Sequence, residues 1–342
     1  MSLYVHRPGL LTTIQDRGRY GMQQYGIPVS GAMDASAPRI ANALAGNNEE
    51  EAVLEVTLQG PEVSFEHGML IAIAGGDLMP AINGMPVPMY RPVYVAQGAR
   101  LTFRGCREGC RSYVAVAGGL DVPVVLGSRS TYLRAAIGGV EGRALKAGDR
   151  VGIRNGGCTL PGSSAYRLEQ ILALAASMAG QPFASVDWFA PPLADYRRKV
   201  IRIVPGTHYR YLTEESRNRL VRQPFAVAPQ SDRMGYRLSA EELSLQAPLE
   251  LLSEAVVNGT IQLPQDGQPI ILLADRQTTG GYPRIAQVAT ADLPVMAQYK
   301  PGDRFGFQLV SHEEAERLLI DHEQDWIRLR MAISLKMKEW GR

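Results

Sequence analysis

From Val53 onward the chain is interrupted every few residues by residues that break regular structure. Short apolar runs at 53–58, 62–66, 69–74, 93–95 and 100–104 alternate with Gly60-Pro61, Gly75-Gly76-Asp77, Asn83-Gly84 and Gln97-Gly98. Runs of that length between such breakers suit strands and leave no room for helices. Many short strands with turns between them predict an antiparallel sandwich or barrel. A further strand is expected over 111–117, closed by Gly118-Gly119. A glycine turn, an arginine and an alternating apolar strand recur at 96–103, 146–153 and 300–307. That recurrence suits a chain built from two similar β modules.

Helical spacing is confined to a few segments. Asp34 is placed to cap a helix over 35–45 that Gly46-Asn47 ends. Leu168, Ile171, Leu172, Ala175 and Met178 share one face of a helix expected over 164–179. Pro191-Pro192 mark a linker, and 213–223 reads as a short helix. Ser311 and Glu314 form a capping box that opens a long C-terminal helix. Ala315, Leu318, His322, Trp326, Leu329 and Ile333 give that helix a packing face. The expected organisation is an N-terminal β domain over 1–190, a C-terminal β domain over 191–310 and a helix over 311–342.

Composition removes several function classes. A net charge of +2 over 342 residues gives no reason to expect a nucleic-acid partner. Cys106, Cys110 and Cys158 are odd in number and form no C-x-x-C pair, so neither a disulfide framework nor a zinc site is expected, and a reducing cytoplasm fits. The N-terminal residues carry no apolar signal segment, and no apolar run approaches the ~20 residues of a membrane helix. The five histidines are scattered and read as exposed or structural, so no metal is expected. No phosphate-loop motif is present, nor a biotin-carrier lysine motif.

The chemistry concentrates in two places. Residues 270–283 read I-I-L-L-A-D-R-Q-T-T-G-G-Y-P. A buried strand is expected over 270–274, breaking into Asp275, Arg276, Gln277, Thr278 and Thr279 and then Gly280-Gly281-Tyr282. Two glycines permit positive φ and close approach of a ligand or another backbone. An acid, a base, an amide and two hydroxyls at a strand mouth suit either a site for a small carbonyl or carboxylate compound or a polar turn. Residues 9–34 form the second place, a glycine-rich loop carrying Gln15, Asp16, Arg17, Arg19, Gln24, Ser30 and Asp34. Residues 126–132, L-G-S-R-S-T-Y, are a polar Ser/Thr loop. Arg233 suits a carboxylate or phosphate contact, or an ion pair with Asp232 or another acid.

A-D-R-Q-T-T-G-G-Y-P resembles the signature of the allophanate hydrolase subunit 2 family, which includes the C-type subunits of 5-oxoprolinase, the Kip antagonist protein and part of the carboxyltransferase domain of urea carboxylase. Q-D-R-G-R-Y-G, S-G-A-M-D and A-N-A-L-A-G-N match the family's opening pattern. S-D-R-M-G-Y-R-L matches a segment whose second residue is commonly Asn, so Asp232 departs from it. Ser253, Glu254, Gly259, Gln262 and Pro264 match a further block. The matches run in family order from about Gly9 to Phe307.

The resemblance implies a mainly β (α+β) fold of two cyclophilin-like β-barrel modules with peripheral helices and a long C-terminal helix. It also implies one component of an ATP-dependent 5-oxoprolinase complex that opens 5-oxoproline to L-glutamate, inactive alone. Its partners would be the A- and B-type subunits of that complex, the B-type one a relative of allophanate hydrolase subunit 1 and of the Kip inhibitor. ATP would be used by the complex, at a site not assigned to this chain. Asp16, Asp275, Thr278 and Thr279 would then be catalytic. Arg19, Ser30, Arg233, Gln262, Gln277, Gly280, Gly281 and Tyr282 would bind substrate. The same family also implies two rival functions: antagonism of a histidine-kinase inhibitor protein, and carboxyl transfer to urea or a related amide.

Overall fold

In the computed structural model, which describes residues 1–154 and 173–339, Gly60-Pro61, Asn83-Gly84 and Gln97-Gly98 fall between strands, whereas Gly75-Gly76-Asp77, expected as a turn, continue the strand that begins at Met69. The chain divides into two compact units.

The first unit holds residues 1–18, 34–193 and those from 325 on. One of its sheets has seven strands, in the order Leu120–Asp121, Arg150–Ile153, Ser2–Arg7, Glu62–Phe65, Arg100–Phe103, Pro80–Ile82, Met85–Pro86. The other has six, in the order Phe183–Ser185, Val93–Val95, Met69–Asp77, Glu108–Val116, Val53–Thr57, Leu11–Gln15. Leu3, Val5, Ile14, Leu54, Val63, Ile71, Ile73, Leu101 and Val114 belong to one apolar core. Met69–Asp77 is buried along almost its whole length, which explains why its sequence is an unbroken apolar run. Gly75 has φ +96°, and a Cβ there would lie 2.6 Å from the Arg111 carbonyl, so this strand can meet its neighbour only through glycine.

The helix Ala37–Leu44 packs on Met69–Asp77 and Glu108–Val116. Asp34 prepares its start, as expected: its Oδ1 accepts the Ser36 N–H at 2.9 Å and the Ala37 N–H at 3.1 Å. The Asp34 N–H donates to the Tyr113 hydroxyl, which donates to Glu55 at 2.9 Å. Burial, with Glu55 and Asp34 nearby, pushes the Tyr113 phenol well up from its ordinary value.

The second unit holds residues 19–33 and 194–324. Its strands close a seven-stranded barrel: Val200–Pro205, Arg284–Val288, Thr260–Gln262, Ile270–Leu272, Gly235–Ser239, Phe225–Val227 and Arg304–Leu309. Val200–Pro205 and Arg304–Leu309 pair in parallel, and the other ladders are antiparallel. Closure leaves no unpaired sheet edge. Ile201, Ile203, Ile261, Ile271, Ile285 and Phe305 fill the interior, and Phe305 and Phe307 stack edge-on at 5.3 Å. A separate pair of two-residue strands, Glu254–Ala255 and Thr279–Gly280, forms a small flap.

The long helix spans His312–Glu339, and Ser311 Oγ accepts the Glu314 N–H at 3.1 Å as the capping box predicts. Trp326 and Ile333 are its buried residues, and the Arg39 guanidinium lies 4.7 Å over the Trp326 ring. Residues 173–177 are helical. The rest of the helix expected over 164–179 lies outside the described residues up to 172, as does Cys158. The mainly β character, the peripheral helices and the long C-terminal helix agree with expectation. No described helix is long and apolar enough to cross a membrane.

Candidate functional site

The strand Ile270–Leu272 leads through buried Leu273 and Ala274 into Asp275, which is itself buried. A buried carboxylate must be paired, and this one is. Arg233 grips it bidentately, Nε to Oδ2 at 2.9 Å and Nη2 to Oδ1 at 3.0 Å. Ser30 Oγ adds a third bond to Oδ1 at 2.6 Å, and Arg233 Nη2 also donates to the Gly31 carbonyl at 2.6 Å. Ser30 holds φ +58°, a left-handed conformation that a non-glycine residue adopts only under constraint. The cluster thus ties the 19–33 segment to the barrel within one unit. Of the two readings open for Arg233, the ion pair is formed, with Asp275 rather than Asp232. Asp232 Oδ1 accepts the Met234 N–H at 2.8 Å, a turn that an asparagine oxygen would make equally well. That accounts for the departure from Asn at this position. Arg19 is fully buried, and its N–H closes the segment on the Val29 carbonyl at 2.8 Å.

The next residues are less committed. Arg276 is half-buried; its Nη1 donates to the Leu273 carbonyl at 3.3 Å, and its buried Nε finds no partner among the described residues. Burial pulls its guanidinium down from arginine's usual range, and Tyr20 partly offsets this. Gln277 and Thr278 are half-buried, and the Thr278 carbonyl accepts the Val256 N–H at 3.1 Å. Thr279 and Gly280 pair with Ala255 and Glu254 in the flap, while Gly281 and Tyr282 are exposed. Neither Gly280 nor Gly281 has positive φ, so of the two uses of glycine expected here only close approach remains. Gly280 is needed for close approach: a Cβ there would lie 2.5 Å from Gln262 Nε2. Gln262 is buried in Thr260–Gln262, and this Nε2 has no partner among the described residues.

Asp16 belongs to the first unit, where four donors surround its carboxylate. Ser128 Oγ (2.6 Å), Ser130 Oγ (2.5 Å) and the Gly18 N–H (2.8 Å) reach Oδ1, and the Arg129 N–H reaches Oδ2 at 2.5 Å. This geometry makes Asp16 the anchor of the 126–132 loop. Leu126, Ala136 and Glu141, in and after that loop, are all left-handed.

Sequence reading places Asp275, Arg233, Ser30 and Gln262 together as site residues without showing which are satisfied internally. It passes over Arg276, although that is the one cation between the apolar strand and the glycine pair. It also leaves His208 among the structural histidines. His208 Nδ1 accepts the Arg284 N–H at 3.0 Å, and burial lowers its pKa. No spacing signal marks that contact, because 76 residues separate the partners. A charged groove along Glu214–Arg222 is a solvated helix face, its Arg219 already paired with Glu215 and Glu241.

Comparison with known proteins adds the ancestry. The chain is 39% identical to the C-type subunit of 5-oxoprolinase from Escherichia coli over 94% of its own length and 96% of that protein's. It is 38% identical to the corresponding 5-oxoprolinase protein of Haemophilus influenzae over 90% of each chain. Among solved structures it resembles K. lactis urea amidolyase, with a TM-score of 0.83 and 28% identity over 96% of this chain. It spans only 20% of that larger chain. The carboxyltransferase domain, subdomain A and B, family matches residues 25–309, and this chain belongs to that family.

Proposed function

We propose that this chain is one component of an ATP-dependent 5-oxoprolinase, opening 5-oxoproline to L-glutamate together with the A- and B-type subunits. The observation that carries the reading is its similarity to the C-type subunits of two bacterial 5-oxoprolinases over nearly the full length of both partners. A lactam carbonyl is a poor electrophile, and ATP, used elsewhere in the complex, supplies its activation. This chain's part is to bind and orient the ring. Such a reaction needs a cation for the substrate carboxylate and donors for the carbonyl oxygen. Arg276 serves the first, since its guanidinium keeps open valences while Arg233 is committed to Asp275. Thr278, Thr279 and Gln262 serve the second, with Gly280, Gly281 and Tyr282 shaping the flap over them. The Asp275, Arg233 and Ser30 cluster holds this loop in place.

The test is glutamate release from 5-oxoproline and ATP by the three combined proteins, each omitted in turn. Release that collapses without this chain supports the reading. No release from proteins that demonstrably associate overturns it. The likeness to urea amidolyase favours a second reading, transfer of a carboxyl group to an amide. Biotin-dependent carboxylation of urea by the chain with its partner would select that alternative.

A further inference from the structure

Gln262 is 1% exposed, and its Nε2 is unpartnered among the described residues. A buried amide left unpaired costs roughly 1–3 kcal/mol, so its retention needs a reason. What covers it is thin. Gly280 lies against it, in a two-stranded flap that pairs Glu254 with Gly280 and Ala255 with Thr279 and is continued by the Val256 N–H bond to the Thr278 carbonyl. Leu252, just before the flap, is 89% exposed. The cation paired with Gln262 in register is already compensated. Arg284, paired in register with Gln262, forms an ion pair with Glu254 and donates to the Ala255 carbonyl at 3.2 Å. His208 accepts a backbone N–H on Nδ1, so its ring is neutral with its proton on Nε2. A neutral ligand head suits this wall better than a charged one.

We propose that the Gln262 carboxamide recognises a cis amide, a lactam or ureide whose N–H and C=O lie side by side, admitted when the 254–255/279–280 flap lifts. A primary carboxamide presents a donor and an acceptor on one edge. A lactam ring holds its own N–H and C=O cis, so the two edges meet in a closed pair of hydrogen bonds. A trans amide turns its N–H and C=O to opposite edges and makes one bond only. A lactone offers an acceptor and no donor. The pairing is the same whichever way the Gln262 amide is turned. Gly280 follows from this arrangement, because a side chain there would occupy the ligand edge. The inference rests on the lactam reading of the barrel site and specifies its recognition element.

The experiment follows the side-chain NH2 resonances of Gln262 in the ¹⁵N-labelled full chain, assigned by their loss in Gln262→Met. The titrants are 5-oxoproline, 2-pyrrolidone, γ-butyrolactone and N-methylacetamide, with the chain alone and with its partner proteins. Both lactams should shift the Gln262 resonances and bind about 10-fold or more tighter than the lactone and the trans amide, the value of one buried hydrogen bond. Gln262→Met should bring lactam and lactone to equal affinity. Gln262→Glu, folded and ionised, keeps the acceptor for the lactam N–H and loses the donor to its carbonyl, so it should still prefer lactam to lactone. Equal binding of lactam and lactone by the unaltered protein, no shift at Gln262, or discrimination that survives in Gln262→Met would overturn the proposal. Binding is read without turnover. Lactam discrimination without glutamate release would sink the 5-oxoprolinase reading and leave Gln262 standing; release with no role for Gln262 would do the reverse.

Discussion

Two pairs of polar groups in the same unit are treated in opposite ways. Asp275 and Arg233 are buried and satisfy each other, with Ser30 and the Gly31 carbonyl completing the set. Gln262 and Arg276 keep nitrogens with no partner among the described residues. The first arrangement is what holding a loop requires, since a buried ion pair tolerates no missing member. The second is unfavourable for folding by itself and is sensible where a ligand completes it. Polarity and motif position do not distinguish these roles; satisfaction does.

Variants of either pair test this difference. Removing one member of the closed cluster should have the largest effect. Arg233→Ala leaves the Asp275 carboxylate buried and should cost about 3–5 kcal/mol of stability, read by urea denaturation. A loss below about 1 kcal/mol would mean that the cluster holds nothing. Arg276→Met attacks the open group. It should leave the denaturation midpoint nearly unchanged while lowering kcat/KM for 5-oxoproline in the reconstituted complex about 10–100-fold, the range expected for a charge-assisted hydrogen bond. A pattern reversed between these two variants would exchange the roles assigned to them.

Asp16→Asn tests the first unit's counterpart. Asn keeps one acceptor oxygen and turns a donor toward donors, so roughly 1–3 kcal/mol should be lost. Limited proteolysis should localise the change to the 126–132 loop. The smallest effect concerns pH. Burial lowers the folded-state pKa of His208 from its ordinary value, with the Arg284 charge adding to this. The unfolded chain therefore binds a proton that the folded chain resists. Stability from this group is complete above about pH 6.5 and is lost as pH falls below it. His208→Asn keeps an acceptor for the Arg284 N–H without titrating, and it should flatten that part of the stability profile. An unchanged profile would show that other groups set the pH response.

Local chemistry determined much of this protein in advance. Gly and Pro punctuation specified short strands at Gly60-Pro61, Asn83-Gly84 and Gln97-Gly98, where those residues disfavour a continued strand, while Gly75 and Gly76 stay within Met69–Asp77 because packing overrode the local signal. The apolar run at 270–274 specified a buried strand mouth, and Ser311 with Glu314 specified a helix start. These are effects of neighbours in sequence. The tertiary structure alone decided which polar groups are satisfied. Ser30 reaches Asp275 across 245 residues and Arg233 does so across 42. The glycine pair left positive φ and close approach both open, and packing decided for close approach at Gly280, beside Gln262. Arg276 and His208 gained their meaning the same way. A hydrogen bond to a distant partner depends on where the chain folds back, and no local spacing encodes that.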